Sequence, residues 1–438
     1  MGRSGGVAFG LAVLALTAGV ANAQTPEGEV AAFRHHRAAA VTALRAENLD
    51  TAARELAEAE TFIPNHPGVM ILQARVAAAR GDGLGALIHY GRYGGAGLVF
   101  DVDGEEALAD LRTQPDHAAA VEVIAELIRS NKAPVGAGSL EPLFRIDGAV
   151  LAESVVRDPR QDRWLVSLVA GRTIVAVADD GTVTPWLQPD PAASGMVGLA
   201  VDEARGILWA TTAPLPPAIH GLAADDVPAT ALLQIDLETG RVMRVYPVPA
   251  DDREHGLGDL VLMPDGAVIV SDGQSGDLYR LAGPDQALTP FVTGVFGSPQ
   301  GLAVVRNTLF VGDYSSGLWR MPLDGGTPVP VALPPDQTLV GIDGLTTDGT
   351  RLFAIQNGVN PQRVLRLVLY PNHEEVGIVV VLAANLPEIE EPTTVTLVDG
   401  QLVFVSRSQW NGFDDDGAPR QTDLPPALIS RLPPTPEP

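Results

Sequence analysis

A repeated pattern of short apolar runs, which starts after Leu140, constrains the fold of this chain more than any other feature of its sequence. Each copy has an apolar run, a turn containing Asp or Gly, a second apolar run and a polar break. The six copies begin at Ala152, Val197, Gly258, Gln300, Asp343 and Thr393. Self-similarity at roughly 45 to 50 residues, with four strands in each unit, is typical of a β-propeller. The sequence therefore predicts a mainly β protein with a six-bladed β-propeller over residues 140–438.

The ends of this region predict how the ring closes. The sixth copy has a third strand at 427–432 but no fourth strand after it. The apolar run 141–146, which precedes the first copy, can supply the missing strand. We expect this pairing to join the first and last blades without a covalent bond and to remove the exposed sheet edges.

The segment before the propeller, 24–133, has helical spacing of its apolar residues and is rich in Ala, Leu, Glu and Arg. A Pro64–Pro67 break between paired helices resembles tetratricopeptide-type repeats, so we predict a small α-helical, tetratricopeptide-like domain and a linker over 134–139. Asp50 or Thr51 is expected to cap the second helix, and Asp116 the last one. The domain could dock a protein partner in a groove, or pack as a cap on the propeller; we favour the cap.

The first 23 residues predict an export signal. Arg3 is followed by an apolar run over 7–20 and by Ala21-Asn22-Ala23, the small-residue pattern of a cleavage site. We expect a periplasmic or secreted protein that is not inserted in a membrane after signal cleavage. Calcium is available in that compartment.

Charge and composition exclude several classes of partner. Asp and Glu total 54 against 29 Lys and Arg, which gives a formal charge of −25. Such a surface repels phosphate backbones and anionic lipids, so we expect no nucleic-acid binding. The chain has no cysteine, which removes thiolate nucleophiles and Cys-type zinc sites. Metal cations and neutral small molecules fit this composition better.

Alignment of the six copies places one residue of each at the rim where the innermost strands begin. These are Glu153, Val197, Gly258, Gln300, Asp343 and Thr393. Two carboxylates and a carboxamide that converge on one axis suit a hard cation such as calcium, and we predict one calcium or other divalent cation per chain. The alternative is that Glu153 and Asp343 only accept backbone N–H groups at the channel mouth.

Loops at the same rim offer further polar groups. We expect Gln356, Asn357, Gln409 and Trp410 to contact a small-molecule substrate or ligand, because they supply amides and an aromatic face. Two long connections, 212–230 and 407–426, could cover the axis as a lid.

The blade patterns resemble those of the SMP-30/gluconolactonase/LRE-like family. Glu153 opens the first, Pro299-Gln300-Gly301-Leu302 the fourth and Ile342-Asp343-Gly344-Leu345 the fifth. The resemblance covers about 140–432. It implies a six-bladed propeller and a lactonase or related ester hydrolase with one divalent cation, commonly calcium, in the axial channel.

The same resemblance implies roles for particular residues. The family's Glu and Asp cation ligands match Glu153 and Asp343, and Gln300 stands where the family has a ligand Asn. A further family Asn near the substrate aligns with Gly258, while Asp259 matches the Asp that usually follows it. Asp343, or a carboxylate near it, would act as general base.

Other readings of the residues stay open. His255 lies three residues before Gly258 and is a second candidate for the general base, because its side chain titrates near neutrality. The chain lacks a Gly-x-Ser-x-Gly elbow, so a serine hydrolase has no support. A non-catalytic propeller that binds a ligand or protein is the main alternative, and a quinone-dependent oxidoreductase ranks last.

Overall fold

The computed structural model describes residues 28–214, 219, 223, 226, 228–414, 416–421 and 423–434. The signal predicted over 1–23 lies outside these residues. Within the described part, no helix combines the length and the apolar character that crossing a membrane requires.

Six helices occupy residues 28–133, which are described without a gap. They are α1 (Glu29–Arg45), α2 (Leu49–Phe62), α3 (Pro67–Ala79), α4 (Gly83–Gly95), α5 (Glu106–Arg112) and α6 (Ala118–Ser130). Helices α1 and α2, α2 and α3, and α3 and α4 pack against one another in turn, and α6 packs on α4. The short helix α5 was not predicted from the sequence.

Two of the predicted helix caps are wrong. The N-cap of α2 is Asn48, whose side chain accepts a hydrogen bond of 3.1 Å from the Thr51 backbone N–H, so neither Asp50 nor Thr51 holds that position. Helix α6 starts after His117, which makes no capping hydrogen bond through its side chain, and Asp116 lies outside the helix. Asn has the same capping chemistry as Asp, and only the chain direction at the turn decides which of them caps.

The remainder of the described chain forms six four-stranded antiparallel sheets, the blades of a propeller. Strand β1 (Glu141–Ile146) comes first in the chain and belongs to the last blade. Blade one contains β2 (Ala152–Asp158), β3 (Arg163–Leu168), β4 (Thr173–Val177) and β5 (Val183–Pro185). Blade two contains β6 (Gly195–Asp202), β7 (Ile207–Ala213), β8 (Ala231–Asp236) and β9 (Val242–Pro247). Blade three contains β10 (Leu257–Leu262), β11 (Val268–Asp272), β12 (Asp277–Leu281) and β13 (Thr289–Val292).

The second half repeats this arrangement. Blade four contains β14 (Pro299–Val305), β15 (Thr308–Asp313), β16 (Gly317–Pro322) and β17 (Val329–Pro330). Blade five contains β18 (Ile342–Thr347), β19 (Arg351–Gln356), β20 (Arg363–Leu369) and β21 (Val376–Ala384). Blade six contains β22 (Val395–Val398), β23 (Gln401–Arg407), β24 (Ala427–Leu432) and, at its outer edge, β1. The six-bladed propeller predicted from the repeats is confirmed.

The predicted ring closure is present. Strand β1 pairs antiparallel with β24, with Ile146 opposite Ala427 and Glu141 opposite Arg431. The Arg431 guanidinium also contacts the Glu141 carboxylate at 2.6 Å. The outer edge of the last blade is therefore formed by the strand that leads directly into the first blade, so β24 is not left as an unpaired edge.

The core lies between adjacent blades. The second strands present large aromatic side chains to this core, with Phe310, Phe353 and Phe404 fully buried and Trp164 and Trp209 nearly so. These residues belong to runs in which apolar residues are nearly continuous instead of alternating with polar ones, as expected for strands covered on both faces.

The helical domain packs on the rim of blades four to six. The Arg34 side chain donates to the Gly297 carbonyl, and the Val99 N–H donates to the Asn360 carbonyl at 2.7 Å. The Asn385 amide donates to the carbonyls of Asn131 and Ala133. These loop groups lie at the end of the ring where the inner strands begin. The helices thus form a cap on the propeller, and docking of a protein partner stays a prediction.

Candidate functional site

A β-bulge opens the inner strand of each of the first five blades. The register shifts between Ala152 and Val155, Met196 and Leu199, Leu257 and Leu260, Pro299 and Leu302, and Ile342 and Leu345. Five of the six rim residues aligned from the sequence lie inside these bulges: Glu153, Val197, Gly258, Gln300 and Asp343. The sixth, Thr393, lies before the inner strand of blade six, β22 (Val395–Val398). A bulge turns a side chain away from the regular pleat, so the five positions are structurally equivalent.

Hydroxyl groups of the second strands hold these bulges and join neighbouring blades. Ser167 Oγ accepts the Ser154 N–H at 2.9 Å and donates to the Val197 carbonyl of the next blade at 2.6 Å. Thr211 repeats the arrangement, because its Oγ1 accepts the Gly198 N–H and donates to the Gly258 carbonyl. This role was not predicted, although a Ser or Thr stands near the end of the second strand in both copies.

Glu153 and Asp343 lie in the bulges that open blades one and five, and their charges interact. Burial, and next the charge of Asp343, raise the pKa of Glu153 well above its ordinary value, while the hydrogen bond from Trp410 opposes the shift. Burial raises the pKa of Asp343 to about 6 against a hydrogen bond from Asn357. The two acids are 190 positions apart in the chain by their numbers (343 − 153), and the ring brings them together.

Two more carboxylates complete what we call the axial cluster: Glu153, Asp259, Asp343 and Glu391. Burial raises the pKa of Asp259 to about 7, opposed by backbone N–H groups of Leu260 and Leu302. Burial also raises the pKa of Glu391 to about 7, opposed by the Asn411 N–H.

Glu391 was missed as a site residue from the sequence. It lies two residues before the Thr393 that opens the sixth copy. Its backbone has a φ of 52°, a left-handed conformation that a non-glycine residue rarely adopts. The Tyr314 hydroxyl was missed as well; burial, with the charges of Asp343 and Glu391, raises its pKa.

The axial cluster has neutral donors only. The Trp410 indole N–H donates to Glu153 Oε2 at 2.8 Å, and the Asn357 amide donates to Asp343 Oδ2 at 2.5 Å. Among the described residues, no Arg, Lys or His contributes to the pKa shift of any of the four carboxylates. Glu153 and Glu391 are buried and Asp259 and Asp343 are partly buried, so a cation beside them would favour their charged forms.

The predicted alternative, in which Glu153 and Asp343 merely accept backbone N–H groups, does not describe their contacts. In the described part of the chain their hydrogen bonds come from the side chains of Trp410 and Asn357. Trp410 sits in a short 3-10 helix, Trp410–Gly412, within the loop after β23.

Gln409 and Gln356 are engaged with the protein backbone. The Gln409 Oε1 atom accepts the N–H groups of Val150 and Leu151, and its Nε2 atom donates to the carbonyls of Gly148 and Pro425. Its carboxamide therefore clamps the blade-six loop onto the turn before β2.

Gln356 is fully buried, and its amide donates to the carbonyls of Thr338 and Val340. Its Oε1 atom accepts from Arg363, which also reaches the Ala96 carbonyl of the helical domain. In both glutamines, the carboxamide oxygen and nitrogen that a ligand would bind are therefore already hydrogen-bonded within the protein.

Asn357 faces the axial cluster. Its Nδ2 atom donates to Asp343 and to the Pro392 carbonyl, whereas its Oδ1 atom is buried and has no hydrogen-bond partner among the described residues. A buried acceptor without a donor is costly and calls for an explanation.

His255 lies between two acidic side chains of the blade-three region. Its Nδ1 atom contacts Asp272 at 2.6 Å and its Nε2 atom contacts Asp251 at 2.9 Å. Burial opposes the charged imidazole, but these hydrogen bonds outweigh it and raise the pKa. The ring packs edge-on against Tyr279 of β12, and both nitrogens are engaged.

The Gln300 carboxamide lies beside Gly258, in the space that a side chain at position 258 would need. The Gln300 Nε2 atom donates to Ser298 Oγ at 3.2 Å, which turns the carboxamide toward blade three. A Cβ atom on Gly258 would lie 2.8 Å from Gln300 Oε1, and one on Gly273 would lie 2.6 Å from Nε2. The two departures from the family pattern are thus spatially linked, because the longer blade-four side chain needs the glycine.

Within the described residues, no group of three or more His, Asp or Glu side chains is arranged to hold a metal ion. A cation at the axis would therefore need neutral oxygen atoms beside Glu153 and Asp343, which is common for calcium. The unpartnered Asn357 Oδ1 atom is one such oxygen.

This chain is similar to several solved protein structures. No family model matches the chain, and neither does any curated protein. A gluconolactonase from Xanthomonas campestris is 18% identical over 68% of this chain and 91% of that chain, with a TM-score of 0.46. A luciferin-regenerating enzyme is 14% identical over 69% and 95%, with a TM-score of 0.47.

An inactive variant of virginiamycin B lyase from Staphylococcus aureus is 15% identical over 64% of this chain and 80% of that chain, with a TM-score of 0.43. These proteins have different activities, and the function of this chain has to be inferred from its own residues. Those residues define a six-bladed propeller with an acidic cluster at the rim on which the helical domain packs.

Proposed function

We propose that the protein is an exported, divalent-cation-dependent hydrolase that opens a small polar cyclic ester, as a lactonase does. The observation that carries this proposal is the pair formed by buried Glu153 and partly buried Asp343, which has no basic partner among the described residues. Calcium is our first choice of cation, with one ion per chain, because the donors are oxygens. Export rests on the signal pattern of the first 23 residues.

The residues fit a cation in charge and in donor type. Glu153 and Asp343 would hold it, and a neutral amide oxygen would complete the set. When bound, a divalent cation polarises an ester carbonyl and stabilises the oxyanion. Trp410 orients Glu153 through its indole N–H, and Asn357 orients Asp343 through its amide.

Proton transfer requires a group that titrates near neutrality. Asp259 and Glu391, each with a pKa of about 7, suit a general base or acid at neutral pH. The family resemblance indicates Asp343, or a carboxylate near it, as the general base. Asp259 and Glu391 are carboxylates of the same cluster and suit that role. His255 is a weaker candidate, since Asp251 and Asp272 engage both of its ring nitrogens.

The test combines metal analysis with a panel of lactones and esters, assayed with and without EDTA. The variant Glu153→Gln/Asp343→Asn should lose both bound metal and turnover. The matched control is Glu141→Gln/Asp265→Asn, which removes the same charge from exposed ion pairs and should keep both. Unchanged metal content and turnover in the axial variant would refute the proposal.

The second candidate is a non-catalytic propeller that binds a ligand or protein. Gly258 favours it, because this position supplies no side chain to the site where the resemblance implies a substrate-binding Asn. Bound metal without hydrolysis of any member of the panel would support this candidate.

A further inference from the structure

We infer that Asn357, rather than Gln300, supplies the neutral oxygen that completes the cation site of Glu153 and Asp343. Gln300 is instead built into the boundary between blades three and four. This inference rests on the proposed cation-dependent function and assigns a ligand that neither the repeats nor the family resemblance indicated.

The orientation of the Asn357 carboxamide is fixed by its neighbours. One end faces the Asp343 carboxylate and the Pro392 carbonyl, which are both acceptors, so this end has to be the NH2 group. The oxygen is at the other end. It is buried, and no donor among the described residues reaches it.

A cation supplies what this oxygen lacks. Calcium takes carboxylate and amide oxygens together, and two carboxylates with a neutral oxygen balance its charge. The Asn357 Nδ2 atom also fixes Asp343 Oδ2, which leaves Asp343 Oδ1 without a partner among the described hydrogen bonds. At Glu153, Trp410 uses Oε2, and in the same part of the chain nothing donates to Oε1. Each of the three side chains thus keeps one oxygen that accepts no hydrogen bond from the described residues.

Gln300 is held in a different direction. Its carboxamide lies against the backbone at Gly258 and Gly273, where neither residue has a side chain to displace it. Ser298 anchors the amide nitrogen and itself donates to the Gly273 carbonyl at 3.1 Å. The side chain is therefore built into the boundary between blades three and four.

The experiment measures calcium binding to the full-length apoprotein by isothermal titration calorimetry. The variant Asn357→Leu keeps the side-chain shape but has no oxygen, and we expect its dissociation constant to rise by about tenfold or more. The matched control Gln300→Leu should change that constant by less than about threefold, since its amide is not a ligand. Circular dichroism confirms that each variant is folded.

A third variant separates ligation from positioning. Asn357→Asp keeps an oxygen but loses the NH2 group that holds Asp343, so it should retain calcium affinity if the oxygen is a ligand. Loss of binding in Asn357→Asp to the same degree as in Asn357→Leu would overturn the inference, because Asn357 would then act only by positioning Asp343.

Two further outcomes would also overturn it. If Gln300→Leu loses affinity and Asn357→Leu does not, Gln300 is the ligand and only this inference fails. If the wild-type protein binds no divalent cation, the proposed function fails together with it.

Discussion

The Trp410 indole N–H donates a hydrogen bond of 2.8 Å to Oε2 of Glu153, across 257 residues of sequence. Glu153 lies in the bulge that opens the first blade, and Trp410 lies in the loop after the second strand of the last blade. The contact therefore crosses the junction at which β1 and β24 close the ring. It links the closure of the fold to the orientation of an acid in the axial cluster.

Replacement Trp410→Phe should destabilise the protein by about 1 to 3 kcal/mol, because a buried carboxyl group loses its donor. Chemical denaturation at neutral pH measures this change. The matched control is Trp186→Phe, since the buried Trp186 Nε1 atom has no partner among the described residues. Equal losses in the two variants would show that the indole hydrogen bond contributes nothing beyond packing.

Glu391 should make the metal-free protein more stable as the pH falls. Burial raises its pKa from 4.5 to about 7, so the folded state binds the proton more tightly and gains stability between about pH 7 and pH 4.5. Glu391→Gln mimics the protonated acid. It should be more stable than the wild type by roughly 1 to 3 kcal/mol at about pH 8 and nearly equal to it at about pH 4.5.

Denaturation of both proteins in EDTA over this pH range tests the prediction. Asp399→Asn, at an exposed turn, serves as a control that also removes one carboxylate. A constant difference between Glu391→Gln and wild type at every pH would contradict the raised pKa.

His255 should contribute stability in its charged form. Burial disfavours the charge, but Asp272 and Asp251 raise its pKa, so its contribution is complete below about pH 6.5 and is lost as the pH rises through the folded-state pKa. His255→Gln should therefore lose more stability at about pH 5.5 than at about pH 9. Calcium affinity should not change.

The exposed His35→Gln variant controls for removal of an imidazole. Loss of turnover in His255→Gln, with stability and calcium affinity intact, would instead support His255 as the general base.

Asn385 should hold the end of α6 on the propeller. Its amide donates to the Asn131 and Ala133 carbonyls, and its backbone φ of 55° favours Gly or Asn. Asn385→Gly keeps the backbone conformation and removes the amide, which should cost about 1 kcal/mol locally. Hydrogen exchange of the segment 131–135 should become faster, whereas α2 should exchange at the wild-type rate.

Much of the fold could be predicted because it is encoded locally and repeated. Each copy carries its own apolar runs and turns, so the six copies support the same prediction. The strand 141–146 belongs to no copy, and the incomplete sixth blade is the one place where it can pair. The rim positions could also be aligned, because Glu153 and Asp343 occupy the same place in their copies and the bulges preserve that place.

The contacts of the loop side chains could not be predicted in the same way. Gln356, Gln409 and Asn357 have the same amide chemistry, yet two of them bind backbone groups and only Asn357 keeps an oxygen free. The choice depends on which carbonyls and N–H groups the neighbouring blades present. Glu391 was missed because it lies just before a strand, where the direction of a side chain follows from its φ and not from a pattern.

The sequence by itself determined the number of blades, the order of strands and the closing pair, because apolar periodicity and turn residues act over a few neighbouring positions. Only the tertiary structure decided that the helices pack on the rim that carries the acids, and that Gln300 fills the space beside Gly258. Those outcomes depend on the packing of groups that are far apart in the sequence, and no local pattern records the space left between them.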